Sequence, residues 1–349
     1  MDGITERRGE RAAGTARAER AAGTARAERA AGGDRAGLES VVRARGLVKR
    51  YGSRTAVEGI DLDVHRGEIF AFLGPNGAGK TTTVEILEGF RQRTEGEVSV
   101  LGRDPATAPG AWRDRVGVVL QESEPEPGLS VRECLALYAG FYHAPRDIEE
   151  TIALVGLGQQ AGTLGTRLSG GQRRRLDFAL ALIGDPELIF LDEPTTGFDP
   201  SARRAAWEVV AGLRRLGKTI FLTTHYMEEA ENLADRIAVL SAGRVVAEGT
   251  PQTLAGRDRM YSTISFTLPA GAAARDLPGA LRPLAEPGAG GSTELHSQSP
   301  LVHVQMLANW ALGSGFDLPD LDVHRPRLEE VYLSLTGSSV TDSADAEEQ

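Results

Sequence analysis

Residues 68–87 read EIFAFLGPNGAGKTTTVEIL. The apolar run Ile69–Leu73 predicts a short buried strand that ends at Gly74, and a helical pattern runs from Lys80 through Gly89. Between them lie Gly74, Pro75, Asn76, Gly77, Ala78 and Gly79. The glycines let backbone N–H groups point inward at a phosphate, and the helix N-terminus adds its partial positive charge. Lys80 is then set to bridge β- and γ-phosphates. The Thr81 hydroxyl, with Thr82 next to it, is set to meet Mg²⁺. A strand before and a helix after give the spacing G-x-x-x-x-G-K-[ST] this phosphate-binding meaning.

Such a loop needs an acid to hold the metal. The stretch LIFLDE carries Asp192 out at a strand end, directly or through water a ligand for Mg²⁺. Glu193 follows at once and reads as the acceptor of a proton from water attacking the γ-phosphate. One strand later, FLTTH ends at His225, in place to contact the γ-phosphate and orient that water. Gln121 ends VGVVLQ, and its amide reads as a contact to the metal or the water. Tyr51, in VKRYG, has two readings: a ring that stacks on adenine, or a half-buried strand tyrosine.

Working outward, strands alternate with helices. RVGVVLQ, ELIFLDE and KTIFLTTH are further buried strands. This alternation predicts an α/β domain with a largely parallel core sheet. VVRARGLVKRYG and AVEGIDLDV read as two strands around a turn, and RIAVLSAGRVVAEG as a hairpin turning at Ser241–Gly243, so an antiparallel β part is expected beside the core sheet. Between Glu122 and Arg167 the pattern is mostly helical and predicts an inserted helical subdomain. There, LALYAGFYHA offers Tyr138, Phe141 and Tyr142 either to the core or to a docking surface.

Four segments result: 1–37, an Arg/Ala/Gly repeat extension; 38–257, the nucleotide-binding domain; 258–337, a small α+β accessory unit; and 338–349, an acidic tail expected to be disordered. In the accessory unit STISFTL alternates as a strand, and LVHVQMLANWAL mixes strand and helix signals. RPRLEEVYLSLTG predicts a helix with Pro326 near its first turn and Gly337 as its stop. The repeat RAAGTARAE starts at Arg11 and again at Arg20, with a decayed copy from Arg29. It has almost no large apolar residue to offset chain entropy and reads as disordered, or as translated upstream sequence if Met1 is not the true start. An arginine-rich arm for acidic lipid or nucleic acid is the other reading, weakened by Glu10, Glu19 and Glu28.

Composition sets outer bounds. The 349 residues are 41% hydrophobic and 25% charged, ordinary for a globular chain. No apolar run approaches the ~20 residues of a membrane helix, and the polar start predicts no secretory signal. The lone Cys134 excludes a disulfide framework and reads as a small buried hydrophobe. A net charge of −10 argues against a general nucleic-acid binder, so no nucleic-acid partner is expected.

One further motif remains. LSGGQRRRL, Leu168–Leu176, sets Ser169 as an N-cap before Gly170 and Gly171, a helix start open to an anion. One ATP has no use for two such helix ends within one domain. A two-fold dimer resolves this, each chain's second cradle (Ser169, Gly170, Gly171, Gln172) closing over the γ-phosphate held by its partner.

Taken together, these motifs resemble the ATP-binding subunit of ATP-binding-cassette (ABC) transporters over roughly residues 40–255. GPNGAGKT matches the family's Walker A, Gln121 its Q-loop, LSGGQ its signature, LIFLDE its Walker B and His225 its switch histidine. GFDP matches the D-loop, with Asp199 as its aspartate and Phe198 in place of the usual leucine. TVEILEGFRQRTEGEVSVLGRDP and RPRLEEVYLSLTG further resemble ATPases of two-component drug exporters of the daunorubicin-resistance type. The resemblance implies the P-loop NTPase fold of an ABC cassette, ATP and Mg²⁺ as cofactors, and a separate integral membrane permease. It also implies a homodimer of this chain, at the cytoplasmic face of the membrane. The rivals are an ABC ATPase of the translation or DNA-repair type, export of a lipid, glycan or ion, and a P-loop kinase. Translation-type proteins usually hold two cassettes, the repair types insert a coiled coil, and a kinase gives LSGGQ and His225 no role.

Overall fold

The computed structural model describes residues 39–120, 126–269, 271–318 and 320–336. The N-terminal repeat, Gln121, Gly337 and the acidic tail lie outside these residues, so the readings made for them are not addressed by it. Among the described residues no helix is long and apolar enough to cross a membrane.

In chain order the elements are β1 (Ser40–Tyr51), β2 (Arg54–His65), β3 (Ile69–Leu73), α1 (Lys80–Leu87), β4 (Glu95–Val100), α2 (Gly110–Arg113) and β5 (Val116–Val119). Then come α3 (Val131–Ala139), α4 (Ile148–Leu154), α5 (Gly170–Leu182), β6 (Leu188–Asp192), α6 (Pro200–Arg215), β7 (Thr219–Thr224), α7 (Met227–Leu233), β8 (Arg236–Ser241) and β9 (Arg244–Gly249). The central sheet has the order β5-β6-β7-β3-β8-β9. Its neighbours are parallel except β9, which folds back antiparallel on β8. The expected hairpin at Ser241–Gly243 is therefore present.

Two faces of this sheet are read off the alternation of side chains. Phe70, Phe72, Leu188, Phe190 and Phe221 share one cluster with Val42, Ile60 and Val100 of the smaller sheet β2-β1-β4. Phe221 is its hub, with ring centroids 5.5 Å from Phe190 and 5.6 Å from both Phe70 and Phe72. Ile69, Ile189, Leu191, Ile220 and Leu222 take the opposite face and pack with Cys134, Leu135 and Ile152 from the helical segment and with Leu176 and Phe178 of α5. Tyr138 and Tyr142 pack against that core, whereas Phe141 is 71% exposed. The two readings of this aromatic trio thus divide between its members.

The sequence reading missed β4. Only Val98 and Val100 are buried along EGEVSV, and two residues are too few to register as an alternating pattern. It pairs antiparallel with β1, Val42 opposite Val100.

The C-terminal segment forms β10 (Ser262–Phe266), β11 (Ala285–Pro287), β12 (Thr293–Ser297), α8 (Pro300–Gly313), β13 (Asp322–His324) and α9 (Leu328–Thr336). The strands make an antiparallel sheet, β11-β12-β10-β13. Ile264, Phe266, Leu295 and Leu307 form its core with α8. The ambiguous LVHVQMLANWAL is all helix. α9 starts at Leu328, two residues beyond Pro326, which therefore lies just outside the expected first turn. Leu328 and Tyr332 do not join the accessory core. They share a cluster with Ala71, Leu73, Ile237 and Val239 of the central sheet, and α9 touches α7.

α1 ends at Leu87 with Glu88 as its C-cap, before the left-handed Gly89 (φ 82°). Glu88 is only 8% exposed, and its Oε1 has no hydrogen-bond partner among the described residues. Burial, with the negative charges of Asp192 and Glu85, pushes its carboxyl up to about 8. A raised carboxyl pKa means that stability is highest below the unfolded value and falls as pH rises from there through the folded value. Glu88→Gln, which is uncharged throughout, is therefore expected to gain on the wild type as pH rises from 5 to 8.5. Its Tm should exceed the wild type's by about 4 °C at pH 8.5, read by calorimetry across that range. Phe221→Ala, which empties the hub of the aromatic cluster, is expected to cost about 3–5 kcal/mol in urea unfolding.

Candidate functional site

The central sheet delivers its functional groups along one edge. In register, Leu73 lies beside Thr224, and Asp192 beside Thr223. Gly74, Glu193 and His225 therefore leave neighbouring strands at the same C-terminal end, where ligands of open α/β sheets bind. Two of the loop's glycines are required by packing. A Cβ on Gly74 would lie 2.7 Å from the Leu240 carbonyl oxygen, and one on Gly79 would lie 2.4 Å from that of Ala56. Gly79 also has φ 105° as the N-cap of α1, a conformation that only glycine adopts readily. Thr81 and Thr82 stand in the first turn of α1, Thr81 exposed.

Lys80 is 5% exposed. Its Nζ donates to the Gly74 carbonyl at 2.7 Å and lies 3.4 Å from Glu193 Oε1. His225 Nδ1 lies 3.2 Å from Glu193 Oε2, at ion-pair distance but without an aligned hydrogen bond. The Thr196 hydroxyl donates to the same oxygen at 3.3 Å. The lysine, acid and histidine expected to act together are thus one contact group. Glu193 itself has φ 43°, a left-handed backbone unusual for this residue, which turns the chain sharply off β6.

The two neighbouring carboxyls are tuned in opposite directions. His225, and then Lys80, hold Glu193 down at about 2, against the opposing effect of burial. Burial pushes Asp192 up, reinforced by the charge of Glu193 and resisted by hydrogen bonding from Thr223. Thr223 serves both acids: its hydroxyl donates to Asp192 Oδ1 and accepts from the Glu193 N–H at 3.0 Å. Asp192 and Thr81 offer the hard oxygen donors that suit Mg²⁺, an ion that takes much of its shell from water and phosphate. No group of three His, Cys, Asp or Glu gathers among the described residues to cage a metal by protein alone.

The second cradle is capped from within. Ser169 and Gln172 form a capping box at the start of α5. The Ser169 N–H donates to Gln172 Oε1 at 3.0 Å, and the Gln172 N–H donates to Ser169 Oγ at 3.4 Å. The expected bare helix start is thus partly occupied, because glutamine at the third helical position completes the box; Gly170 and Gly171 form the intervening turn. Asp199 caps α6, its Oδ1 accepting from Ser201 and Ala202 N–H at 2.8 and 2.9 Å. Between these two helix starts lies a cavity of about 300 Å³, lined by Ser169, Gly171, Gln172, Asp199 and Ser201 among others, and by no residue of the Gly74–Thr81 loop.

Tyr51, at the end of β1, is 40% exposed. Lys49 Nζ lies 5.0 Å and Arg91 Cζ 5.4 Å from its ring centre, so the ring is held by cations rather than by a core. Gln121 is outside the described residues.

Sequence reasoning passed over Thr223, Thr196 and Glu229. The Thr195 hydroxyl and Trp207 Nε1 both donate to Glu229 Oε1 at 3.0 Å, joining α7 to the residues after Glu193 and to α6. FLTTH contained Thr223, but a hydroxyl inside an apolar strand carries no motif of its own.

Comparison with known proteins gives this geometry its context. Residues 57–196 match the family model for the ABC transporter, and residues 262–326 match one described as the C-terminal domain of ABC transporter domain-containing protein-like sequences. Nod factor export ATP-binding protein I of Cupriavidus pinatubonensis is 39% identical over 87% of this chain and 93% of its own. Daunorubicin resistance ATP-binding protein DrrA3 of Streptomyces coeruleorubidus is 37% identical over 86% of this chain and 96% of its own. A solved ATP-binding subunit of an ABC transporter aligns with TM-score 0.55 at 27% identity, over 61% of this chain and 91% of that one. A cassette solved as a dimer in a post-hydrolysis state with ADP and Pi aligns with TM-score 0.54 at 26% identity, over 60% and 98%. Relatives that match almost end to end, and a parallel sheet that gathers Lys80, Glu193 and His225 at one edge, lead to one assignment: the chain belongs to the ATP-binding-cassette ATPases of the ABC transporter family.

Proposed function

We propose that this chain powers a membrane exporter as a homodimeric ATPase bound to a separate integral membrane permease at the cytoplasmic face, with a drug or antibiotic as cargo. The observation that carries the catalytic part is the Lys80–Glu193–His225 group. Glu193 is ionised, as a general base must be, but it is paired with two basic side chains. Nucleotide phosphates compete with Glu193 for Lys80, and a γ-phosphate draws His225 toward itself. Losing both partners raises the Glu193 carboxyl toward its ordinary range and makes it a better proton acceptor. Glu193 then takes a proton from water as the water oxygen attacks the γ-phosphorus and the bond to the β–γ bridging oxygen breaks. Asp192 and Thr81 would hold Mg²⁺, which neutralises phosphate charge when bound. Tyr51 offers an exposed ring to adenine. Ser169, Gly170, Gly171, Gln172 and Asp199 face the partner's nucleotide in the closed dimer; their cavity, free of loop residues, supports that reading.

Export rests on the relatives named for Nod factor export, and a drug cargo on the relative named for daunorubicin resistance. A relative named for Nod factor export marks the competing cargo class. The exposed Phe141 supports docking of the permease on the helical segment.

Glu193→Gln is expected to keep ATP affinity, lose at least about 100-fold in turnover and accumulate an ATP-dependent dimer in size-exclusion chromatography. Lys80→Ala is expected to lose nucleotide binding, measured by titration with a fluorescent ATP analogue. Wild-type values in either variant would sink the corresponding role. For transport, the tagged chain should bring down a polytopic membrane protein in stoichiometric amount from gently solubilised membranes with ATP and Mg²⁺. Recovery of ribosomes or DNA instead would overturn the exporter reading. Daunorubicin-type drugs, rather than Nod factors, should stimulate ATP hydrolysis by the recovered pair.

A further inference from the structure

Arg174 lies in the second cradle's own helix, five residues beyond Ser169, and is 6% exposed. Its guanidinium leaves that helix and reaches three backbone carbonyls elsewhere. Nη1 donates to the carbonyl of Leu120, the residue before Gln121. Nε donates to the Pro194 carbonyl at 2.9 Å, and Nη2 to the Asp192 carbonyl at 3.3 Å. The last two carbonyls bracket Glu193. Asp177, one turn along α5, supplies a counter-charge 3.6 Å from Nη1.

A buried cation is costly unless its donors are satisfied, and a bare packing role would be filled better by an apolar side chain. What arginine adds is a rigid planar fork of donors, which a lysine's single ammonium cannot reproduce. Here the fork spans three segments that serve the nucleotide: the signature helix α5, the end of β5, and the turn after β6. That turn holds Glu193 in its left-handed conformation, so its flanking peptides decide where the carboxylate points.

We propose that Arg174 is a positioning residue for hydrolysis, holding the backbone on both sides of Glu193 and coupling it to the signature helix. Among the described residues, its hydrogen bonds reach the backbone on either side of Glu193 rather than the carboxylate itself or the phosphate loop. Displacement of α5, which carries Ser169 at its start, is therefore felt by Glu193 through one guanidinium. The proposal rests on Glu193 being the general base.

The test uses the full-length chain as Arg174→Lys and Arg174→Met, with Glu193→Gln in parallel. Titration with a fluorescent ATP analogue gives the affinity and the number of competent sites, and turnover is expressed per titrated site so that any misfolded fraction divides out. Both Arg174 variants are expected to bind nucleotide within about threefold of wild type, while kcat per site falls at least about tenfold. A per-site kcat within about threefold of wild type in either variant would overturn the proposal. Loss of nucleotide binding in both would overturn it too, since Arg174 would then hold the fold rather than the acid. The Glu193→Gln control separates the two claims. Wild-type turnover there refutes the base itself, whereas its loss alongside active Arg174 variants refutes the positioning role alone.

Discussion

The ammonium of Lys80 is almost wholly inside the protein, and that placement constrains everything around it. A buried positive charge needs oxygen partners, and it finds a loop carbonyl and the carboxylate of Glu193. To bring those together, β3 and β6 must end level although β7 lies between them, and the chain after β6 must turn at once. The close approaches at Gly74 and Gly79 fix the loop that presents the lysine. Under the proposed mechanism this Lys80–Glu193 pair is the contact that nucleotide has to break.

Much of this was legible in the sequence, for identifiable reasons. The strand–loop–helix at 68–87 is short and contiguous and folds as its pattern predicts, and the acid pair after LIFL and the histidine after FLTT stand at the strand ends where their runs place them, beside Lys80. α5 was legible through its capping serine, yet the completion of that cap by Gln172 was not anticipated. The second cradle's openness was inferred from glycines alone.

What escaped were residues whose meaning comes from another segment. Thr223 looks like an ordinary strand residue until Asp192 lies opposite it. Arg174 looks like part of a solvated basic run, RRR, and only the fold turns the middle one inward. β4 hides because half of it is exposed. α9 was recognised as a helix, but nothing in its amphipathic pattern says which surface it will meet. Tertiary placement, rather than local propensity, decided each of these.

That placement of α9 bears on how the chain can be divided. A cluster containing Ala71 and Leu73, in the strand that leads into the phosphate loop, is completed by Leu254, Leu328 and Tyr332, more than 180 residues further along the sequence. The nucleotide-binding unit is therefore not a contiguous module that can be cut out after its last strand. A fragment ending at Gly249 would leave apolar surface bare behind the catalytic edge. Fusing or exchanging accessory sheets between relatives would preserve that edge only if the junctions fall inside 258–327 and the closing helix is kept.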